Sequence, residues 1–204
     1  MYNDPSSGLK CLTGGGVNVF NNSNPKCQGW ANADVHVYPE FNPNNPEDSN
    51  TDFAVITSSS SFVDVFSDDY ASLDIDTLGS VERLEVYGYG FNAYAGTGSG
   101  ILRRGSGELD SYERHHFNVI GSGARVCKGD SGGPATIYFD QTSPHLVAVG
   151  VLSESDVNSN PTCAEDGSDQ RYSRISPKMT WVEQQIGATC RETRVAGRRV
   201  KQCF

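Results

Sequence analysis

The stretch Cys127-Lys128-Gly129-Asp130-Ser131-Gly132-Gly133-Pro134 sets one serine between glycines and beside a carboxylate, and its reading decides the rest of the chain. A hydroxyl is a poor nucleophile at neutral pH, so a reactive serine needs a base for its proton and donors for the oxyanion it creates. The glycines answer the second need. They let the backbone turn tightly enough for the amides of Gly129 and Ser131 to point into one small hole, and a side chain at Gly129 would obstruct the incoming carbonyl. The plainer reading is a glycine-rich turn with an exposed serine, and the length of the string argues against it.

Composition narrows the setting. A net charge of −9 opposes nucleic-acid or anionic-membrane partners, both of which require a basic face. With 22 Gly, 9 Pro and short apolar runs in place of long 3.6-period stripes, the 204 residues predict one β-rich unit with little helix. The cysteines fall by order into local pairs, Cys11 with Cys27, Cys127 with Cys163 and Cys190 with Cys203, which reads as disulfides made in an oxidising compartment. Cys11 or Cys27 could instead pair with a cysteine upstream. No Cys-x-x-Cys or His-x3-His spacing points to a metal, and no cofactor is expected. The polar start, Met1 to Gly8, has no apolar export segment, so the chain reads as a piece of a longer precursor.

Taken in order, Val17-Asn18-Val19-Phe20 is a short strand between turn signals, and Asn21-Asn22-Ser23 fits the N-glycosylation pattern without deciding it. Val35-His36-Val37-Tyr38 alternates as a strand does, and the Pro/Asn-rich residues 39–46 form a loop. Thr51-Asp52-Phe53-Ala54-Val55-Ile56 then brings a carboxylate to the mouth of an apolar strand, where it either caps a turn or needs a cationic or N–H partner. Residues 57–80 are Ser-rich and acidic, a surface connection. Val81–Tyr89 and Leu146–Ser153 are apolar strands, and Gly96–Gly100 is a flexible loop. After the strand Arg171–Ile175, Ser176 reads as an N-cap, Pro177 as a first-turn proline, and Met179, Val182 and Ile186 recur at near-helical spacing until Gly187. The tail carries Arg191, Arg194, Arg198, Arg199 and Lys201, a solvated basic face or a site for an anionic partner.

Cys127–Pro134 resembles the nucleophile loop of the chymotrypsin-like (trypsin-like, S1) serine endopeptidases. Asp52-Phe53-Ala54-Val55 is similar to their Asp-Ile-Ala-Leu/Val segment, Leu84–Gly90 to their strand ending in Gly-Trp/Tyr-Gly, and the strand and helix over 171–187 to their C-terminal pattern. The resemblance covers about residues 35–189. It implies an all-β fold of two antiparallel barrels, the first incomplete, with a C-terminal helix. The whole chain, 1–204, would be one peptidase domain: residues 1–80 hold the rest of the first barrel, 81–175 the second, 176–189 the helix and 190–204 a basic, disulfide-closed tail. The resemblance further implies Ser131 as nucleophile, Asp52 as the carboxylate that orients an imidazole, the Gly129 and Ser131 amides as oxyanion hole, and Asp130 as the carboxylate that shapes it. Cys127–Cys163 would bracket the primary pocket, with Ser153, Glu154 and Ser155 pairing with the substrate along the cleft. Arg125 would stand at the pocket floor and oppose Lys or Arg side chains. There it could receive an acidic side chain or be neutralised by Asp166 or Asp169, and a one-residue offset would put it outside the pocket. The substrate would be a protein or peptide, protease inhibitors would be further partners, and the protein would be a secreted monomer.

One expected part is absent. The family's base lies in a Thr-Ala-Ala-His-Cys segment, and its Ile/Val-Val-Gly-Gly amino terminus pairs with the carboxylate beside the nucleophile; neither occurs here. The histidines are His36, His115, His116 and His145, and none has that neighbourhood; His115 and His116 read as a surface pair or as a substituted base. The expectation is a chain that lacks its front and has little activity alone. The rival is an inactive relative that serves as a binding or regulatory module.

Overall fold

The computed structural model describes residues 10–13, 29–42, 44–45, 48–58, 72–73, 81, 83–92, 98, 100–121, 125–138, 146–155, 163–164, 167–195 and 198–203. The front of the chain forms an open sheet of β1 (Lys10–Thr13), β2 (Gly29–Val37) and β3 (Ala54–Ser58), with β1 parallel and β3 antiparallel to β2. The expected strand at 17–20 and the sequon at 21–23 lie outside the described residues. A two-residue strand, β4 (Ser72–Leu73), falls inside the stretch read as a connection.

A closed antiparallel barrel follows, built from β5 (Arg83–Gly88), β6 (Arg103–Tyr112), β7 (His116–Gly121), β8 (Pro134–Tyr138), β9 (Leu146–Ser155) and β10 (Asp169–Arg174). Its order is β10-β7-β6-β5-β8-β9. Successive strand residues point to opposite faces, so Leu84 and Val86 of β5 and Phe117 and Val119 of β7 turn inward to meet Ile137 and Val147. Each such side chain taken out of water contributes about 1.5–3 kcal/mol. Phe117 stacks on Tyr172 with centroids 5.4 Å apart, and a Cβ at Gly150 would stand 2.5 Å from the Phe117 ring, which is why glycine fills that place. The expected all-β architecture is present, consistent with a chymotrypsin-like fold.

After β10 comes a 3-10 helix (Ser176–Lys178) and then α1 (Met179–Ile186), closed by Gly187 in the left-handed conformation at φ 64°. Ser176 does not act as the expected N-cap: Ile175 occupies the cap, no side-chain hydrogen bond is made there, and Pro177 alone serves the start. Trp181 packs edge-on against Tyr38 and Phe53 at 5.3 and 6.2 Å, which fixes the helix against the front sheet. The tail forms a hairpin, β11 (Cys190–Val195) with β12 (Arg198–Cys203), and β4 pairs with β12. Cys190 is disulfide-bonded and stands in register with Cys203. The expected Cys11–Cys27 bridge lies outside what is described of the side chains.

Candidate active site

The loop before β8 is shaped by where its backbone hydrogen bonds go. The Asp130 amide donates to the Cys127 carbonyl at 3.0 Å and Gly129 has φ 93°, a type II turn whose third position favours glycine. The Lys128 carbonyl accepts from the Phe91 amide at 3.1 Å. In a trans peptide the carbonyl and the following N–H point opposite ways, so this bond turns the Gly129 N–H away from Phe91. Gly133 donates to the Asp130 carbonyl at 2.8 Å, and Gly132 donates to the Leu152 carbonyl at 2.9 Å. The amides of Gly129 and Ser131 are left without a partner among the described residues, and both residues are exposed. Two unsatisfied donors therefore lie at and close before Ser131 in the chain, the kind of group that an oxyanion requires.

Asp130 anchors this loop from behind. Its Oδ1 accepts from the Gly90 amide and its Oδ2 from the Cys127 amide, each at 2.7 Å. Glycine is required where β5 ends: a Cβ at Gly88 would lie 1.9 Å from Asp130 Oδ1, and one at Gly90 2.6 Å from the same atom. The Gly88-Tyr89-Gly90 pattern therefore makes the seat of the carboxylate, a role the sequence displays only as a pair of glycines. Cys127 is bridged to Cys163, and the Ala164 amide donates to the Val126 carbonyl at 2.8 Å beside that bridge.

Asp52 is met from the other side. Ser153 Oγ donates to Asp52 Oδ2 at 2.7 Å, joining residues 101 apart in sequence. Ser153 was expected along the cleft, and its bond to Asp52 is what sequence reading missed. Glu154 is paired with Arg171 at 3.0 Å, and Ser155 faces Gln170 across the ladder. Arg125 lines a cavity of about 510 Å³ together with Val86, Gly88, Arg103, Asp130 and Cys163. Ser153, Glu154 and Ser155 are not among the residues that line it.

Behind Asp52 lies a buried cation. Lys178 has no exposed surface, donates from Nζ to the Arg174 carbonyl at 3.1 Å, and stands over the rings of Tyr38 and Phe53 at 5.6 and 5.4 Å. Burial and then the Arg174 charge lower its pKa to about 8, against the opposing pull of Glu40, Asp48 and Asp52.

No described imidazole bonds Ser131 or Asp52. His36 shares a hydrogen bond with Thr57 Oγ1 at 3.1 Å, and His116 Nδ1 donates to Asn50 Oδ1 at 2.8 Å. His115 and His116 stand where β6 turns into β7. Burial holds both below the ordinary range, with Lys178 and Arg114 adding to the effect at His115 and Glu113 opposing it at His116. His145 lies outside the described residues.

No family model matches the chain. A stretch of 79 residues, 36% of the chain, is 33% identical to Serine protease 56 of Homo sapiens and spans 12% of that protein. The match supports a relationship with trypsin-like proteases.

Proposed function

We propose that the chain carries the catalytic loop of a serine endopeptidase that cleaves peptide bonds by acyl transfer. The observation that carries this reading is the pair of amides, Gly129 and Ser131, left unpaired among the described residues in a loop whose Cys127, Asp130, Gly132 and Gly133 amides are engaged. In the reaction, Ser131 Oγ attacks the peptide carbonyl and the oxyanion settles on the two amides. The serine proton passes to an imidazole from outside the described residues, then to the leaving amine, and water resolves the acyl-enzyme. Asp52, held by Ser153, orients that imidazole and stabilises its charged form. Preference for Lys or Arg before the scissile bond is not expected, because Arg125 leads into the nucleophile loop and adds positive charge. A disulfide at Cys127–Cys163, with no helix among the described residues long and apolar enough to cross a membrane, is compatible with a secreted protein.

A second reading has its own observation. With no described imidazole at Ser131, the same loop suits a module that binds peptides without cleaving them. Hydrolysis of a peptide ester by the purified chain and by Ser131→Ala separates the two. Turnover lost in the variant supports the peptidase, whereas saturable peptide binding retained in Ser131→Ala, without turnover in either protein, favours the binding module.

A further inference from the structure

A half-buried guanidinium stands at the head of a chain of peptide groups that leads to the Ser131 loop. Arg103 opens β6, and its three hydrogen bonds among the described residues all go to backbone carbonyls. Nη2 donates to Gly98 at 2.7 Å, and Nη1 donates to Gly90 at 3.1 Å and to Ile101 at 3.2 Å. The Gly90 carbonyl belongs to the same peptide group as the Phe91 amide, which donates to the Lys128 carbonyl at 3.1 Å. That carbonyl in turn shares its peptide group with the Gly129 amide, one of the two donors without a partner among the described residues. Both peptides are trans, so in each the carbonyl and the N–H point opposite ways and the groups line up head to tail. A cation therefore sits at one end of a hydrogen-bonded chain whose other end is the Gly129 N–H.

We propose that Arg103 is a positioning residue for the oxyanion donors, acting on the Gly129 amide through the Gly90–Phe91 and Lys128–Gly129 peptide groups. The proposal rests on the peptidase reading of that amide. A charged donor makes the stronger bond to a carbonyl, and a carbonyl so engaged leaves its own N–H more positive, so each bond in the chain strengthens the next. The polarity suits the chemistry: positive charge enters at Gly90, and the gain appears at the N–H that would meet a developing negative charge. The chain also fixes orientation, because turning the Lys128–Gly129 peptide over would break the Phe91 bond. Gly90 is buried, so water is a poor substitute for the guanidinium at its carbonyl. Pinning the loop is the plainer role for Arg103, and the bonds to Gly98 and Ile101 suffice for it. The bond to Gly90 goes to the one peptide whose N–H holds Lys128.

The test compares the full chain with Arg103→Met and with Arg104→Met, which removes an equal charge from the next residue, an exposed arginine paired with Glu85 at 3.5 Å. Two signals are followed. The first is the Gly129 amide in the nitrogen–proton correlation spectrum of the unliganded protein. Arg103→Met should shift it by more than Arg104→Met does, and Arg103→Lys, which restores a cationic donor, should return it part of the way. The second is the preference for a peptide with a free terminal carboxylate, whose oxygen can lie on the amides, over the same peptide ending in an amide. Strengthening of about 10–30% per bond, applied to a donor whose loss costs ~10²–10³-fold, predicts that this preference falls by about two- to eightfold in Arg103→Met. If Arg103 only pins the loop, acid and amide weaken together and the preference stays. Thermal unfolding checks that each variant is folded, and should Arg103→Met fail to fold, Arg103→Gln, which keeps a neutral donor, replaces it with a change in the same direction. A Gly129 signal that stays in place, or that Arg104→Met moves equally, overturns the proposal even where the wild type prefers the acid. No acid preference in the wild type, with the Gly129 signal displaced as expected, would instead sink the peptidase reading of the amides and leave the link from Arg103 to Gly129 in place.

Discussion

Gly88→Ala tests whether the Ser131 loop is held from behind. The new Cβ would lie 1.9 Å from Asp130 Oδ1, 2.6 Å from Cγ and 3.1 Å from Cβ, so the carboxylate must leave its seat. Its departure removes the bond from the Gly90 amide, a charged hydrogen bond worth about 1.5–3 kcal/mol. The strain of overfilling the site adds about 1–3 kcal/mol. The expected cost is therefore about 2.5–6 kcal/mol, a large share of the ~5–15 kcal/mol that keeps a domain folded. Gly100→Ala is the control: its Cβ meets nothing within 4 Å, and its φ of 84° costs about 1–2 kcal/mol. Urea unfolding followed by circular dichroism gives both values. Repeating Gly88→Ala in an Asp130→Ala background should recover most of the difference, because the clash is with the carboxylate and the coupling belongs to the pair. If Gly88→Ala costs no more than Gly100→Ala, or costs the same in both backgrounds, the carboxylate is not seated against β5 and the account of the loop fails.

Ser153→Ala leaves Asp52 without its partner at 2.7 Å and should cost about 1.5–3 kcal/mol by urea unfolding; a loss below 0.5 kcal/mol would mean that solvent replaces the bond. Removing the Cys127–Cys163 bridge by a double alanine substitution releases residues 36 apart and should lower stability by about 4 kcal/mol, measured by the same method under oxidising conditions. Lys178 has a folded pKa of about 8, below its ordinary 10.5, so the unfolded chain binds more protons between those values and stability should rise with pH across that window. Lys178→Met should abolish that rise and stabilise the protein at pH 7 by up to ~3 kcal/mol; an unchanged pH profile in the variant would assign the rise to another group.

The parts legible in the sequence are those with local causes. Gly129 and Gly132 announce a tight turn because few other residues adopt it, and the alternation of Leu84 and Val86 announces an inward strand face. The tail hairpin was illegible for a physical reason. Half of its strand residues are charged and they show no apolar period, and its strands arise from pairing with each other and with β4, far earlier in the chain. Strand β6 was hidden in the same way, since Arg103-Arg104-Gly105-Ser106-Gly107 shows no apolar alternation and its hydrogen bonds go to neighbours on both sides. Nothing in the sequence singles out Lys178. Only the approach of Tyr38 and Phe53 from the front sheet shows that it is buried.

The two halves of the candidate site meet in one dipeptide. Leu152 accepts from the Gly132 amide and donates to the Gly133 carbonyl, which fixes the backbone just after Ser131, and the next residue, Ser153, holds Asp52. The register of β9 thus sets the Ser131 loop and the carboxylate at once. Strand residues alternate faces, so a slip of one position would send Leu152 outward, lose its contacts in the barrel core and detach Asp52 in the same step. Tyr172, buried opposite Leu152 on β10 and stacked on Phe117, opposes that slip. The barrel core therefore does more than stabilise the fold: by fixing where Leu152 points, it fixes how Ser131 and Asp52 stand relative to each other.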